Sequence, residues 1–303
     1  MSTPIISICI PTYKRASCLK QCLDSIVVQL DDPLVRDRVE IVISDNASPD
    51  NTENIVEEFK KKYNNIVYYK NTENIGVDRN ILNVAARASG EYVWFMGDDD
   101  ALFSGALVYM LDELRLHKFD YCLVNCLGYD NFLQKPAVRQ PNFAITNNTY
   151  YETLDEAVKK MDRKSLVGNF CGLSIQVIRR SLWDGVTNKG VHVGTNAVHL
   201  YTTLLAMKGK PFAMIAKPLV KVRAANIRWD TFPGLDTLSN RSESTYIALL
   251  WILKTYDIPH SKEIMRIRQR IDLVKSWIIN VLKRYLFKSQ RVRDIIKRIL
   301  GKL

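Results

Sequence analysis

Long apolar runs are missing from this 303-residue chain. No stretch reaches the ~18 consecutive apolar residues that a membrane-spanning helix needs. Residues 1–4 contain no lysine or arginine, and the first apolar run, residues 5–10, ends at Pro11. We therefore expect neither a membrane-spanning segment nor a secretory signal peptide. Without export, the six cysteines are expected to be reduced thiols in the cytoplasm.

Other absences exclude further classes of protein. Glycine and proline number 13 and 10, which is too few for a collagen-like or low-complexity chain. The cysteine spacings, Cys18 with Cys22 and Cys122 with Cys126, suit neighbours on a helix but match no common zinc pattern. The sequence carries no helix-turn-helix, zinc or RRM signature, so nucleic-acid binding is not expected.

The excess positive charge of the chain is concentrated at one end. The formal net charge is +11, and residues 258–303 hold 13 Lys and Arg against 3 Asp and Glu. Within this basic tail, Ile271, Val274, Ile278 and Val281 keep helical spacing. A basic amphipathic helix of this kind can lie on an anionic membrane surface. The alternative is a helix that packs on its own domain and leaves a solvated basic face.

The first half of the sequence alternates β-rich apolar runs with helical spacing. Strands are predicted over residues 5–10, 39–44, 66–69, 91–96 and 121–126. Helices are predicted between them, and farther along over residues 154–161 and 176–183. This order predicts a mainly parallel sheet with helices on both faces. Because ligands of such sheets bind beyond the carboxyl ends of the strands, the polar loops there are expected to form one site.

Three successive aspartates, Asp98, Asp99 and Asp100, follow the fourth predicted strand. Alternate side chains of an extended chain share a side, so Asp98 and Asp100 should converge while Asp99 points elsewhere. Two convergent carboxylates suit Mg²⁺ or Mn²⁺, and such an ion can neutralise a departing diphosphate. The alternative is a solvated acidic turn that caps the next helix at Ser104.

Two further polar loops follow the first and second predicted strands. Thr12 and Tyr13 come after the first, where an aromatic ring can stack on a base. Asp45, Asn46 and Ser48 come after the second, where polar groups can hydrogen-bond a ribose or a base. Each group alone also fits a turn or a helix cap. On one edge of one sheet, together with the aspartates, they predict a nucleotide pocket.

Several segments resemble the family 2 glycosyltransferases in their order and separation, over roughly residues 4–125. They are ICIPTYKR at 8–15, IVISDNAS at 41–48, NIG at 74–76 with RN at 79–80, and ASGEY at 88–92 before DDD at 98–100. The form MGDDD at 96–100 is similar in particular to the abequosyltransferase-like members that build bacterial O-antigens.

The resemblance implies a GT-A fold, which is Rossmann-like, and sugar transfer from a nucleotide-diphosphate donor, usually with inversion. The transferase domain would span residues 1–235, with a donor half over 1–127 and an acceptor half over 128–235, and a helical extension would follow over 236–303. The implied donor-binding residues are Pro11, Thr12, Tyr13, Arg15, Asp45, Asn46, Asn74, Gly76, Arg79, Asp98 and Asp99. The implied ligands for Mn²⁺ or Mg²⁺ are Asp98 and Asp100.

The catalytic base departs from the family pattern. Many relatives carry a Glu-Asp pair on a helix before a Lys-Gly turn, but the matching stretch here, residues 194–209, contains no acidic residue. His199 lies near the expected position, and a histidine can take a hydroxyl proton near neutrality. A histidine on a mostly apolar helix also fits a core role. The other candidates for the base are Asp99, His192, Asp184 and Asp230.

The expected activity is that of a glycosyltransferase on the cytoplasmic side, peripheral on the inner face of the plasma membrane. Its acceptor would be a lipid-linked oligosaccharide or a related surface-polysaccharide precursor, and the basic tail would bind the anionic membrane. One alternative is a transferase of the same fold that uses a polyprenyl phosphate acceptor. The other is a scaffold that binds nucleotide sugars without catalysis, which the missing Glu-Asp pair motivates.

Overall fold

The computed structural model describes residues 3–138, 141–161, 170–223, 251–252 and 254–256. The chain divides into two compact units, Met1–Thr237 and Leu238–Leu303. The basic tail, residues 258–303, and the candidate base Asp230 lie outside the described residues. Within the described ranges, no helix has both the length and the apolar composition to cross a bilayer.

The first part of the larger unit alternates strands and helices. The elements are β1 (Ile6–Thr12), α1 (Ala16–Val27), a 3-10 helix (Val28–Asp31), α2 (Pro33–Arg36), β2 (Val39–Asp45), α3 (Thr52–Lys60), β3 (Ile66–Lys70), α4 (Val77–Ala85) and β4 (Tyr92–Phe95). The strands lie within a residue or two of their predicted positions. Strands β1, β2 and β4 are buried along nearly their whole length, whereas β3 is exposed at its end.

The second part carries longer strands and shorter helices. The elements are β5 (Ala101–Leu102), α5 (Ala106–Leu116), β6 (Tyr121–Tyr129), β7 (Thr149–Tyr151), α6 (Leu154–Lys160), β8 (Gln176–Arg179), α7 (Arg180–Gly185), a 3-10 helix (Lys189–His192), α8 (Val198–Met207) and β9 (Phe212–Arg223). The predicted helix over residues 176–183 is wrong in its first half, where the chain forms β8. Strand β8 is buried between two other strands, so pairing overrides the helical spacing of its side chains.

One sheet joins all the strands named above, in the order β3-β2-β1-β4-β8-β6-β9-β5, with β7 paired to β9. Strands β3, β2, β1 and β4 are parallel to one another, as predicted. Strand β8 runs antiparallel to both β4 and β6, and β9 runs parallel to β6 but antiparallel to β5 and β7. The sheet is therefore parallel from β3 to β4 and mixed beyond β4.

The parallel half of the sheet fixes the position of the polar loops. Strands β1 and β2 are almost wholly buried, and α1 buries Leu19, Leu23 and Ile26. The register of β1 on β2 places Thr12 beside Asp45. The carboxyl ends of β1, β2 and β4 thus meet at one edge, which brings the three predicted polar loops together.

Candidate active site

The aspartate turn after β4 is largely withdrawn from solvent. Asp98 is 5% exposed and Asp100 is 8% exposed. Burial raises the pKa of Asp98 to about 6, although the positive charge of Arg15 opposes the shift. Burial also raises the pKa of Asp100 to about 7, and the charge of Asp99 adds to it. Two carboxyl groups that are costly to ionise gain stability from a nearby cation.

Asp98 is held from the β1 side of the site. The Thr12 hydroxyl donates to Asp98 Oδ2 at 2.8 Å. The Arg15 guanidinium donates to Asp98 Oδ1 at 3.1 Å and to Asp99 Oδ2 at 2.9 Å. The structure therefore brings together four residues that the sequence predicts for the donor site, with Arg15 as the cation that bridges two of the aspartates.

Asp100 is held by two residues, Ser174 and Arg223, whose contacts with it the sequence analysis did not predict. The Ser174 hydroxyl donates to Asp100 Oδ2 and accepts from the backbone N–H of Gly97 at 2.8 Å. The backbone N–H of Arg223 donates to Asp100 Oδ1 at 3.1 Å. The Arg223 side chain donates to the Asp99 carbonyl at 2.9 Å and to Gln21 Oε1 at 2.7 Å. Ser174 and Arg223 lie 74 and 123 residues from Asp100, so no local spacing signals their roles.

The donor atoms of this turn suit a hard divalent cation. Asp98 and Asp100 offer carboxylate oxygens in a buried environment, and Mg²⁺ commonly binds one or two carboxylates together with substrate phosphates. No group of three or more His, Cys, Asp and Glu side chains in the described part of the chain is arranged as a metal site. Further ligands would therefore have to come from a bound diphosphate and from water.

Asp45 ends β2 as a fully buried carboxylate. Its Oδ1 accepts from the backbone N–H of Ser48 at 2.9 Å, and its Oδ2 accepts from the Tyr68 hydroxyl at 2.7 Å. Burial raises the pKa of Tyr68, and the hydrogen bond to Asp45 raises it further. Tyr68 is a further residue that the sequence analysis missed, since it lies within β3 and not in a polar loop. Both bonds fix the orientation of the Asp45 carboxylate at the edge of the sheet.

A cluster of amides adjoins Asp45 and links the loops after β1, β2 and β3. Asn46 Nδ2 donates to Asn74 Oδ1 at 2.7 Å, and Asn46 Oδ1 accepts from the backbone N–H of Ile75 at 2.9 Å. A hydrogen bond with Asn74 lowers the pKa of Tyr13. The structure thus groups Tyr13, Asn46 and Asn74 near Asp45, and their contact with a base stays a prediction.

The remaining predicted donor residues lie around this cluster. Pro11 is paired with Ser44 in the β1–β2 register. Gly76 has a φ of 84°, and its N–H donates to Asn74 Oδ1 at 3.0 Å immediately before α4. Arg79 is exposed in the first turn of α4. Contact of Arg79 with the nucleotide stays a prediction.

The two main candidates for the base occupy different environments. His199 is 5% exposed, and its Nε2 lies 2.9 Å from the Cys171 carbonyl oxygen. Burial lowers the pKa of His199, and its Nδ1 has no hydrogen-bond partner among the described residues. The Asp99 side chain is 20% exposed and pairs with Arg15. Asp99 is therefore the more accessible of the two groups.

The half-parallel sheet with polar loops at one edge is the arrangement expected of a GT-A glycosyltransferase. The chain matches the Glycosyl transferase family 2 model over residues 7–182, and it belongs to that family. It is 32% identical over 230 residues to abequosyltransferase RfbV of Salmonella typhimurium, which covers 73% of this chain and 67% of that one. These matches confirm the predicted family and the abequosyltransferase-like resemblance, and the chain is a glycosyltransferase.

Other relatives match shorter segments. The GalNAc(5)-diNAcBac-PP-undecaprenol beta-1,3-glucosyltransferase of Campylobacter jejuni is 34% identical over 129 residues, 41% of this chain and 40% of that one. Among solved structures, the match to S. aureus TarS 1-349 in complex with UDP covers 86% of this chain and 68% of the TarS chain, with a TM-score of 0.62 and 17% identity. Mannosyltransferase PcManGT from Pyrobaculum calidifontis, in complex with GDP-Man and Mn²⁺, covers 100% and 89%, with a TM-score of 0.50 and 16% identity. These structures confirm the GT-A fold.

Proposed function

We propose that the protein transfers one sugar, with inversion, from a nucleoside-diphosphate donor to a lipid-linked oligosaccharide or related surface-polysaccharide precursor. The use of such a donor is supported by one observation: the predicted base pocket and the aspartate turn meet at one edge of the sheet. There the Thr12 hydroxyl donates a hydrogen bond to Asp98 at 2.8 Å. The acceptor class is supported by the relatives, one of which is named for an undecaprenol-linked glycan.

Each group of residues has a role in binding the donor. Tyr13 would stack on the base, while Asp45 and Asn46 accept and donate hydrogen bonds at its edge. Arg15 would place positive charge at the diphosphate, next to Asp98. Asp98 and Asp100 would hold Mn²⁺ or Mg²⁺, which supplies further positive charge to the departing diphosphate when bound.

Inversion requires a base that takes the proton of the acceptor hydroxyl. In the same step the hydroxyl oxygen bonds to the anomeric carbon of the donor sugar, and the bond from that carbon to the nucleoside diphosphate breaks. We favour Asp99 over His199, because the Asp99 side chain is partly exposed beside the donor turn whereas His199 is buried against the Cys171 carbonyl. A carboxylate in contact with solvent and acceptor can exchange its proton, but a buried imidazole must first be uncovered.

The test is calorimetric titration with UDP, CDP, dTDP and GDP, each with Mn²⁺ and then with EDTA. We expect one pyrimidine diphosphate to bind in a metal-dependent way, and Asp98→Asn and Asp100→Asn to weaken that binding by roughly tenfold or more. Asp112→Asn is the matched control, because its carboxylate is 56% exposed and pairs with surface Arg115. Full metal-dependent affinity in both site variants would contradict the assignment of the aspartates.

Turnover separates the enzyme from the two alternatives. The acceptor probe is a lipid extract from a bacterium that makes O-antigen, compared with polyprenyl phosphate alone. Transfer to the extract supports the proposed acceptor, and transfer to polyprenyl phosphate supports the alternative transferase. Metal-dependent donor binding without transfer to either would support the scaffold, which the absence of an acidic residue from residues 194–209 motivates.

We further propose that the protein is peripheral on the inner face of the plasma membrane. The charge of the basic tail, residues 258–303, supports this proposal, as does a lipid-linked acceptor that would itself reside in the membrane. Electrostatic attraction of Lys and Arg to anionic lipid would bring the active site to its acceptor.

A further inference from the structure

A buried carboxylate in α4 accepts hydrogen bonds from the backbone of a segment that is distant in the sequence. Asp78 is 3% exposed. The backbone N–H groups of Gly194 and Asn196 donate to its Oδ2 at 2.7 and 2.9 Å, and the N–H of Val198 donates to its Oδ1 at 3.2 Å. These donors lie 116 to 120 residues away along the chain, so the bonds connect two separate parts of the fold.

The segment that wraps around Asp78, residues 192–198, depends on it for its conformation. Gly194 and Asn196 have φ angles of 95° and 56°, in the left-handed region that costs energy for a non-glycine residue. The alternate N–H groups are satisfied locally, since Thr195 N donates to the His192 carbonyl and Ala197 N donates to Thr195 Oγ1. Asp78 accepts the others. Without its carboxylate, three backbone donors would lose their partners.

The first turn of α4 lies at the edge of the sheet that carries the donor loops. Two residues after Asp78, Asn80 donates to the Ser44 carbonyl at 2.9 Å and accepts from the Ser44 hydroxyl at 2.7 Å. Ser44 immediately precedes Asp45 of the base pocket. Asp78 therefore draws residues 192–198 to the same edge of the sheet as the donor site.

We propose that Asp78 is a positioning residue that holds residues 192–198 as a wall of the acceptor site. The inference rests on the proposed transferase function. The wall carries His192 and leads directly into α8, whose second residue is His199. The donor residues Asp45 and Asp98 are held by contacts of their own, so the carboxylate of Asp78 acts on acceptor use and leaves donor binding intact.

The electrostatics of the segment agree with this placement. Burial lowers the pKa of His192 and of His199, and the negative charge of Asp78 opposes the shift in both. His192 is also stacked on Tyr201 of α8, with ring centroids 4.5 Å apart. Asp78 thus lies within electrostatic reach of both imidazoles as well as within hydrogen-bond distance of the backbone between them.

The test compares Asp78→Asn with Asp155→Asn. Asp155 is the matched control, because it is also a carboxylate in the first turn of a helix and accepts one backbone N–H, that of Gly209, at 2.6 Å. For Asp78→Asn we expect the KM for the lipid-extract acceptor to rise roughly tenfold or more, while the calorimetric Kd for the donor diphosphate changes less than about twofold. Hydrogen exchange should quicken in residues 192–199 and stay unchanged in β1.

Gly194→Ala is a second variant that leaves Asp78 in place. An added Cβ at Gly194 would meet no atom within 4 Å, so only its φ of 95° opposes the substitution. We expect the same rise in acceptor KM with an unchanged donor Kd. This variant keeps the proposal testable if Asp78→Asn does not fold.

Other outcomes would overturn the proposal. Unchanged exchange in residues 192–199 together with an unchanged acceptor KM would show that Asp78 positions nothing. Equal losses in donor and acceptor binding, with the same fall in Tm as in Asp155→Asn, would reduce Asp78 to a general structural role. Absence of sugar transfer by the wild-type protein would instead contradict the proposed function. In that case, unchanged hydrogen exchange in residues 192–199 of Asp78→Asn would also refute the role of Asp78 in holding the wall.

Discussion

At the scale of single residues, the site contains ionisable side chains in buried positions, where their charged forms are unfavourable. Asp98 and Asp100 are acids in buried positions, and the turn between them is held by Arg15 on one side and Arg223 on the other. Burial disfavours the charged form of each carboxyl, while the Arg15 charge favours it in Asp98 and hydrogen bonds from the Ser174 hydroxyl and the Arg223 N–H favour it in Asp100. The turn is therefore balanced for a ligand that brings additional positive charge.

His199 shows the opposite balance, because burial outweighs the contacts that favour a charged ring. Burial lowers its pKa, and the hydrogen bond to the Cys171 carbonyl opposes this only in part. The folded protein thus keeps His199 neutral at a pH where the unfolded chain takes up a proton. Protonation of the unfolded state costs stability as the pH falls below the unfolded value of about 6.5.

The corresponding prediction is for His199→Gln. An amide can still donate to the Cys171 carbonyl but has no proton to gain, so the loss of stability between about pH 6.5 and pH 5 should become smaller than in wild type. Urea unfolding at several pH values measures this difference. His117→Gln, at a side chain that is 41% exposed, is the control. An unchanged pH dependence would mean that His199 already titrates normally.

The same variant also bears on catalysis. A wild-type transfer rate in His199→Gln would remove the imidazole from the mechanism and leave Asp99 as the favoured base. A loss of turnover with unchanged donor affinity would restore His199, since only the chemical step needs a base.

At the scale of elements, the donor half could be predicted from the sequence because its signals are local. Strands β1, β2 and β4 are continuous apolar runs that end in polar loops, and parallel pairing places those ends together. The predicted helix over residues 176–183 failed at β8, where spacing at helical intervals and burial between two strands give the same apolar pattern. Ser174, Arg223 and Asp78 were missed because each acts on residues more than seventy positions away.

The opposite end of the sheet, away from the donor loops, is fixed by one buried acid. Glu40 of β2 accepts from the Ser7 hydroxyl, from the Ser89 hydroxyl at 2.8 Å and from the Ser89 N–H at 2.6 Å. It also accepts from the N–H of Gly90 at 3.2 Å. This cluster ties β1, β2 and the start of β4 together, so the three strands enter the site from a common fixed end.

Gly90→Ala is predicted to break this arrangement. An added Cβ would lie 2.7 Å from Ser7 Oγ and 2.8 Å from the Ser7 backbone nitrogen, and a backbone atom cannot give way cheaply. We expect a loss of about 1–3 kcal/mol in the free energy of unfolding, measured with urea. Gly185→Ala is the control, because its Cβ would meet nothing within 4 Å. Equal stability of the two variants would contradict the crowding at Gly90.

At the scale of the whole molecule, the excess positive charge lies in the tail that is proposed to bind the membrane, and not in the part that is proposed to catalyse transfer. Residues 258–303 hold 13 basic and 3 acidic residues out of a chain whose net charge is +11, so the remainder is close to neutral. A neutral catalytic body has no electrostatic reason to approach an anionic bilayer. The basic tail can supply that attraction, at about 1 kcal/mol for each Lys or Arg near the surface.

The last prediction concerns the deletion of residues 288–303. This segment contains six basic residues and one acidic residue, so its removal takes away a large share of the positive charge of the tail. We expect full-length protein to float with liposomes that contain phosphatidylglycerol and the truncated protein to remain at the bottom of the gradient, with donor binding unchanged.

Full-length protein with Lys60, Lys61 and Lys62 changed to Gln is the control for a general loss of charge, and it should still float. Because the attraction is electrostatic, flotation should also weaken as salt is raised, since the Debye length shortens. Equal flotation of the truncated and full-length proteins would place any membrane contact elsewhere in the chain.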